Sequence, residues 1–294
     1  MKGVMERVMN RWTIMVCAWV LTLGMHAQSV EYTKSDSALV VKFLKEAQTQ
    51  RGKENRMFYF GKKFLGIPYV AHTLELGDTE HLIVNLHGLD CTTFVETVLA
   101  LSMCDQQNKR TFDDFCKNLT KIRFRGGKMT DYTSRLHYFT WWAEDNEQLG
   151  IVKDISIDDA PFYGVQKVHI NYMSQHPTLY KQLKNHPEFV PIIKKYEQAT
   201  EGKQFHYILK QDLSWEAGTP LSMVKDGDIV AMLTDSDGLD TRHIGIAFWQ
   251  NGRLHLLHAS SLYKKVLMSK ETFYDYEMKQ PKHTGIRVFR FTGE

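Results

Sequence analysis

The feature that limits this chain most is the dipeptide Asn251-Gly252, set between two apolar runs. Asn-Gly supplies the two positive-φ residues of a tight hairpin turn whose twist matches that of the flanking strands. A two-residue turn fixes how His243–Trp249 pairs with Arg253–His258: Gly245 faces His258 and His243 faces Ser260. Side chains alternate along each strand, so His243 and His258 share one face as diagonal neighbours, while His255 takes the other. The chain has 13 histidines, and the ordinary fate of any one of them is the core or the surface. A same-face pair gains meaning only if a third reactive group meets it.

The stretch Gly88-Leu89-Asp90-Cys91-Thr92-Thr93-Phe94-Val95-Glu96-Thr97 offers that group. Phe94, Val95, Val98, Leu99 and Ser102 recur at helical spacing, and Asp90 is a good N-cap residue. Cys91 then lies in the first helical turn, where free N–H groups and the helix dipole favour thiolate over thiol. Taken alone, Cys91 reads more readily as a buried structural cysteine. With the hairpin, it reads as a nucleophile served by His243 as base and His258 as the group that orients the base.

The rest of the chain gives the frame. Amphipathic helices are expected over residues 36–50, 54–65, 91–103 and from about 111, with an aromatic-rich helical pattern from Asp131 to Asn146 and another from Pro187 to Ala199. Val168–Met173 reads as a strand. Beyond Asp228 the period changes to two: Asp228–Leu233, the hairpin, Lys264–Met268 and Ile286–Phe291 read as strands, with a helix starting near Ser269. Helices first and a strand meander afterwards imply an α+β fold rather than alternating βαβ units.

Lys2, Arg7 and Arg11 precede an apolar run, Thr13–Leu23, and Ala27 offers a small residue before Gln28. Residues 1–27 therefore read as a secretory signal peptide, the run being too short to span a membrane comfortably. Cys17 follows Met15-Val16, a poor context for lipid attachment, so a periplasmic protein is expected rather than a lipoprotein. With Glu6, these residues carry +2 of the net +3, leaving +1, which removes any bulk-charge argument for nucleic acid. Cys91, Cys104 and Cys116 remain; the odd count is no disulfide framework, and a Cys104–Cys116 bridge stays open. Residues 28–294 read as one domain, with 105–220 as a large elaboration.

Gly66-Ile67-Pro68-Tyr69, Leu89-Asp90-Cys91-Thr92-Thr93-Phe94, Gly227-Asp228-Ile229-Val230, His243-Ile244-Gly245-Ile246 and His258-Ala259-Ser260 occur in the order found in NlpC-type cell-wall amidases, a papain-like group. Asp131-Tyr132-Thr133-Ser134-Arg135-Leu136-His137-Tyr138 resembles the subfamily of N-acetylmuramoyl-L-alanine amidases. The resemblance implies an NlpC-type core with a mainly helical insertion, an exported monomer, and a muropeptide as partner. It implies cleavage of the amide between (anhydro)muramic acid and the stem peptide, with Cys91, His243, His258 and Tyr69 catalytic and no metal or other cofactor. Asp90 and Thr92 would bind the peptide's N-terminal end, and Tyr132, Arg135 and His137 the sugar. For Leu136, Phe139, Trp141 and Trp142 helix core is the expected role. The 152 positions from Cys91 to His243 exceed what a compact member needs. The nearest rival is a γ-D-glutamyl–diamino acid endopeptidase. A zinc amidase lacks His-Glu-x-x-His, and His255 and His258 would point to opposite faces; a catalytically dead wall-binding module would not need Cys91, His243 and His258 together.

Overall fold

The protein is described as a computed structural model over residues 29–50, 52–157, 161–214 and 220–293; the signal-peptide expectation falls outside these residues. The helices are α1 (Lys34–Gln48), α2 (Arg56–Lys62), α3 (Cys91–Gln106), α4 (Phe112–Arg123), α5 (Phe139–Gln148), α6 (Tyr172–Gln175), α7 (Lys181–Asn185), α8 (Val190–Thr200) and α9 (Phe273–Met278). The strands are β1 (Val30–Glu31), β2 (Leu82–Ile83), β3 (Val152–Asp154), β4 (Gly164–Lys167), β5 (Gln204–Leu209), β6 (Ile229–Thr234), β7 (Thr241–Gln250), β8 (Arg253–Ser260), β9 (Lys265–Met268) and β10 (His283–Phe291). This is an α+β architecture: an antiparallel sheet ordered β4-β5-β10-β6-β7-β8-β9, with β3 also on β10, and helices packed against it.

Local chemistry explains where the long helices begin. Thr33, Asp90 and Thr111 each close a reciprocal cap with the residue three positions on, satisfying N–H groups that have no partner inside the helix. The α3 helix is buried on all sides, and the charged Glu96 and Asp105 within it are paired with Arg123 and Arg56. It packs on β7 and β8 on one side and on α1, α2 and α4 on the others. Gly61 lets α2 approach β8 closely, since a Cβ there would lie 2.6 Å from Leu257 Cδ2.

The aromatic segment departs from the single helix its pattern suggests. Asp131 accepts from both the N–H and hydroxyl of Thr133, tightening the chain into a short 3-10 turn over Tyr132–Ser134. Arg135 is then extended, bridging to Phe124, and the helix proper starts only at Phe139. Val168–Met173 is likewise not a strand. The ladder ends at Lys167, and the N–H groups of Asn171 and Tyr172 bond to Gly238 O as α6 begins.

The hairpin turn is as the dipeptide requires: Asn251 and Gly252 have φ of 53° and 73°, and Gln250 faces Arg253. On the other side of β7 the register slips once. Met232 faces His243 and Leu233 faces Thr241, so Arg242 is an extra, unpaired residue.

The α3 packing sets one stability expectation. Phe94 is wholly buried and meets Phe64 edge-to-face at 6.2 Å. Phe94→Ala should lower the unfolding free energy in urea by about 3–5 kcal/mol; a loss below about 1 kcal/mol would show that α3 does not organise the core.

Candidate active site

Cys91 opens α3 half-buried. Asp90 Oδ1 accepts from the Thr93 N–H at 2.8 Å, and the Asp90 N–H donates to Thr93 Oγ1 at 2.9 Å. The Asp90 carboxylate is thus spent on holding the helix start. The loop after α2 carries Tyr69 to the same place: its N–H donates to Lys264 O, the Val70 N–H to Leu89 O, and the Leu89 N–H to Pro68 O. This ties the start of α3 to the edge of the sheet at β9. Burial, then the neighbouring Cys91 and Asp90, push the Tyr69 hydroxyl up to about 12, so it remains a proton donor at neutral pH.

Across from Cys91 lies β7, with the Ile244 N–H directed at the sulfur. His243, the preceding residue, directs Nε2 at His258 Nδ1 at 2.7 Å. His258 is 1 % exposed, and its Nε2 has no partner among the described residues. Tyr276 of α9 packs against both rings, 6.3 Å from His243 and 5.4 Å from His258 between centroids. Nothing in the sequence singled Tyr276 out, because α9 is distant in the chain and carries no motif.

Electrostatics correct one expectation. The helix start was expected to favour thiolate, yet burial followed by the Asp90 charge pushes the Cys91 thiol up to about 11, outweighing the Ile244 N–H and the Thr92 hydroxyl and N–H. Burial, then His258 and His283, hold His243 well below the ordinary imidazole range, and burial brings His258 to about 4. The resting pair is therefore neutral thiol and neutral imidazole. The proton must move as the sulfur attacks.

Cys91, Thr92 and His243 lie on the wall of a cavity of about 530 Å³ whose other lining includes Tyr132, His137, Tyr138, Phe139, Trp142 and Tyr180. Tyr132 and Trp142 are almost wholly buried, yet Tyr132 Oη and Trp142 Nε1 have no partner among the described residues. Glu75, also on the wall, has Oε2 in the same condition. His137 Nε2 meets Tyr132 O at 2.8 Å, and burial, then Arg135, hold it at about 3. Arg135 does not reach the wall. It is 7 % exposed and bonds Glu80 Oε1 and Oε2 at 2.9 and 2.7 Å, Glu75 Oε1 at 2.7 Å and Leu74 O at 3.0 Å. It holds the 74–80 segment in place rather than facing the cavity, because the buried Glu80 and the half-buried Glu75 carboxylates take its donors. Trp142, expected as core, is both buried and on the wall. Among the described residues no three or more His, Cys, Asp or Glu side chains are gathered as metal ligands would be, and Cys91, Cys104 and Cys116 are all free thiols.

The model of the N-acetylmuramoyl-L-alanine amidase-like family matches residues 59–286. The chain is similar to a crystal structure of an N-acetylmuramoyl-L-alanine amidase from Bacteroides uniformis ATCC 8492, with 44% identity and a TM-score of 0.75 over 80% of this chain and 97% of that one. It is also similar to a Bacteroides fragilis structure named as a xylanase, with 45% identity and a TM-score of 0.74 over 79% and 99% of the two chains. A Legionella pneumophila protein shares the fold at 23% identity, with a TM-score of 0.68 over 87% and 94%. No curated protein sequence matches.

Two outcomes are expected of the site. With Cys91 titrating near 11, its alkylation by iodoacetamide should quicken about tenfold per pH unit between pH 7 and 9, as the thiolate fraction grows. A rate already level at neutral pH would reveal a preformed ion pair. Arg135→Ala, which strands two carboxylates, should cost about 3–5 kcal/mol of stability in urea titration; an unchanged unfolding midpoint would mean that the arginine is not structural.

Proposed function

The chain belongs to the N-acetylmuramoyl-L-alanine amidase-like family, and from that premise we propose that it hydrolyses the amide joining (anhydro)muramic acid to the L-alanine of a peptidoglycan stem peptide by Cys–His catalysis. The core in this reading is of the NlpC papain-like type, and the enzyme works in the periplasm after loss of residues 1–27. The observation that carries the reading is the His243–His258 hydrogen bond on the strand that faces Cys91, at the mouth of an aromatic cavity.

The chemistry runs through these groups in turn. For His243 to accept a proton through Nδ1, its Nε2 must carry hydrogen and donate to His258 Nδ1, which fixes both the tautomer and the ring. As Cys91 Sγ attacks the lactyl carbonyl carbon, the thiol proton passes to His243 Nδ1. The carbonyl oxygen takes negative charge and accepts from the Cys91 N–H at the helix start and from the Tyr69 hydroxyl. The imidazolium then protonates the alanine nitrogen, the C–N bond breaks, and the stem peptide leaves with a free amine. Water, deprotonated by His243, attacks the thioester carbon; the C–S bond breaks, His243 returns its proton to Cys91 Sγ, and the muramic acid leaves as its carboxylic acid.

The low pKa of His243 suits this order. An imidazole that binds its proton weakly releases it readily to the leaving amine. The cavity supports a sugar on the acyl side. Tyr132, Tyr138, Phe139 and Trp142 offer aromatic surface against which a sugar ring can pack. His137 and Thr92 share this wall; Asp90 acts as the cap that aims Cys91. Glycoside hydrolysis, which the name of the Bacteroides fragilis structure suggests, would need two carboxylates facing each other across the bond. The two on this wall, Glu75 and Asp240, already accept from Arg135 and from the Thr140 N–H. The amide reading is the better supported.

Mass spectrometry of products from a disaccharide–anhydromuramoyl–tetrapeptide tests it. Free disaccharide and intact stem peptide should form with the wild type and not with Cys91→Ala, and His258→Ala should lower kcat roughly 10²-fold or more. A muramoyl dipeptide ending in glutamate would place the cut within the stem and replace this reading with the endopeptidase one.

A further inference from the structure

The bulge before His243 has a consequence for what the site accepts. In a regular strand Arg242 would point away from the face that His243 occupies. The extra residue in β7 removes that alternation, and Arg242 lines the aromatic cavity together with His243. It also lines a second cavity, of about 430 Å³, on the other side of the histidine. Leu239, Thr241, Arg242 and His243 are common to both walls, so the two spaces meet at the reacting centre.

The second cavity differs from the first in its chemistry. Beyond the shared residues, its wall is made by Ser260, Ser261, Leu262, Tyr276, Gln280 and His283, without a single carboxylate. Glu277 is completely buried behind His283 and meets its Nδ1 at 3.1 Å through both oxygens. Arg242 is exposed and has no hydrogen bond or ion pair among the described residues. By contrast, Lys181, the other cation on the aromatic wall, already donates to Gly77 O and faces Asp78. A donor-rich cavity with one uncommitted guanidinium is complementary to a carboxylate.

We infer that Arg242 anchors a carboxylate of the leaving peptide, namely the α-carboxylate left free when the second residue is a glutamate linked through its γ-carboxyl. This rests on the amidase reading above. The alanine nitrogen must sit at His243 to receive its proton, and the second residue's Cα lies about 3.8 Å beyond the alanine Cα. That distance brings its carboxylate within the span of the arginine one position before His243. The guanidinium fork donates two parallel N–H···O bonds to a carboxylate, whereas a neutral carboxamide offers one oxygen and no charge. Arg242 is thus a specificity residue for stem peptides with a free α-carboxylate over those amidated at that position.

Calorimetric titration of Cys91→Ala with two uncleaved disaccharide–muramoyl–tripeptides, alike except for a free or amidated α-carboxylate on the second residue, tests this without turnover. The free acid should bind about tenfold more tightly, the scale of one charge-assisted hydrogen-bonded pair. In Cys91→Ala/Arg242→Gln that preference should vanish, with unchanged circular dichroism, and Cys91→Ala/Arg242→Lys should recover part of it. No preference in Cys91→Ala, or one that survives Arg242→Gln, overturns the assignment. Product analysis of the wild type on the same two compounds separates the two readings: cleavage at another bond removes the amidase reading, whereas cleavage at the muramoyl amide with no Arg242-dependent preference removes only this one.

Discussion

The 2.7 Å contact between His243 and His258 exists because two strands are locked in a single register by a turn that only positive-φ residues can make. A slip of one residue would send both imidazoles to opposite faces. Everything else at the site is placed relative to that hairpin. The α3 helix lies against β7 and β8, which brings its first residue to Ile244, and the 66–70 segment bonds to Lys264 and Val266, which holds Tyr69 beside that helix start. The bulge at Arg242 works in the same frame, since it alters alternation at one position and leaves the paired residues from Ile246 to Gln250 in register.

Burial is the dominant electrostatic force here, and it acts differently on isolated and paired groups. Cys91, His243, His258 and His137 have no opposite charge beside them, so removal from water favours the neutral form of each. Arg135, Glu75 and Glu80 are matched in geometry as well as in sign. Arg123 meets Glu96 of α3 at 2.7 Å, but there burial outweighs the arginine and pushes the Glu96 carboxyl up. The result is a thiol and an imidazole that both rest neutral, with the Arg135 ion pairs bracing the segment beside them. Proton transfer within a neutral pair creates charge only when a carbonyl is there to be attacked, which keeps an exposed thiolate from reacting indiscriminately.

Local chemistry made much of this legible in the chain. Asp90 as a cap, Cys91 as a helix start and the facing of His243 with His258 all follow from neighbours within a few residues, and the structure has each. What could not be read depends on partners far away. Arg135 looks like a pocket residue among aromatics until Glu75 and Glu80, 60 and 55 positions earlier, are seen to take its donors. The aromatic run from Asp131 has helical spacing, but the Asp131–Thr133 hydrogen bonds compete with the helix and break it near its start. The sign of the Cys91 shift was missed because a helix dipole can be inferred from sequence and the depth of burial cannot. Arg242 escaped notice for a similar reason: a bulge is a relation between two strands.

The claim on which the account turns is that Cys91 carries the muramoyl group as a thioester. Hydroxylamine added during turnover of a disaccharide–muramoyl–peptide tests it directly, because a thioester can be intercepted by that amine before water reaches it. The account predicts a hydroxamate at the lactyl carbonyl of the released sugar, with its share rising with hydroxylamine concentration and none formed by Cys91→Ala. Release of the sugar only as its carboxylic acid at every hydroxylamine concentration, or a hydroxamate on the glutamyl residue of the peptide, would contradict it.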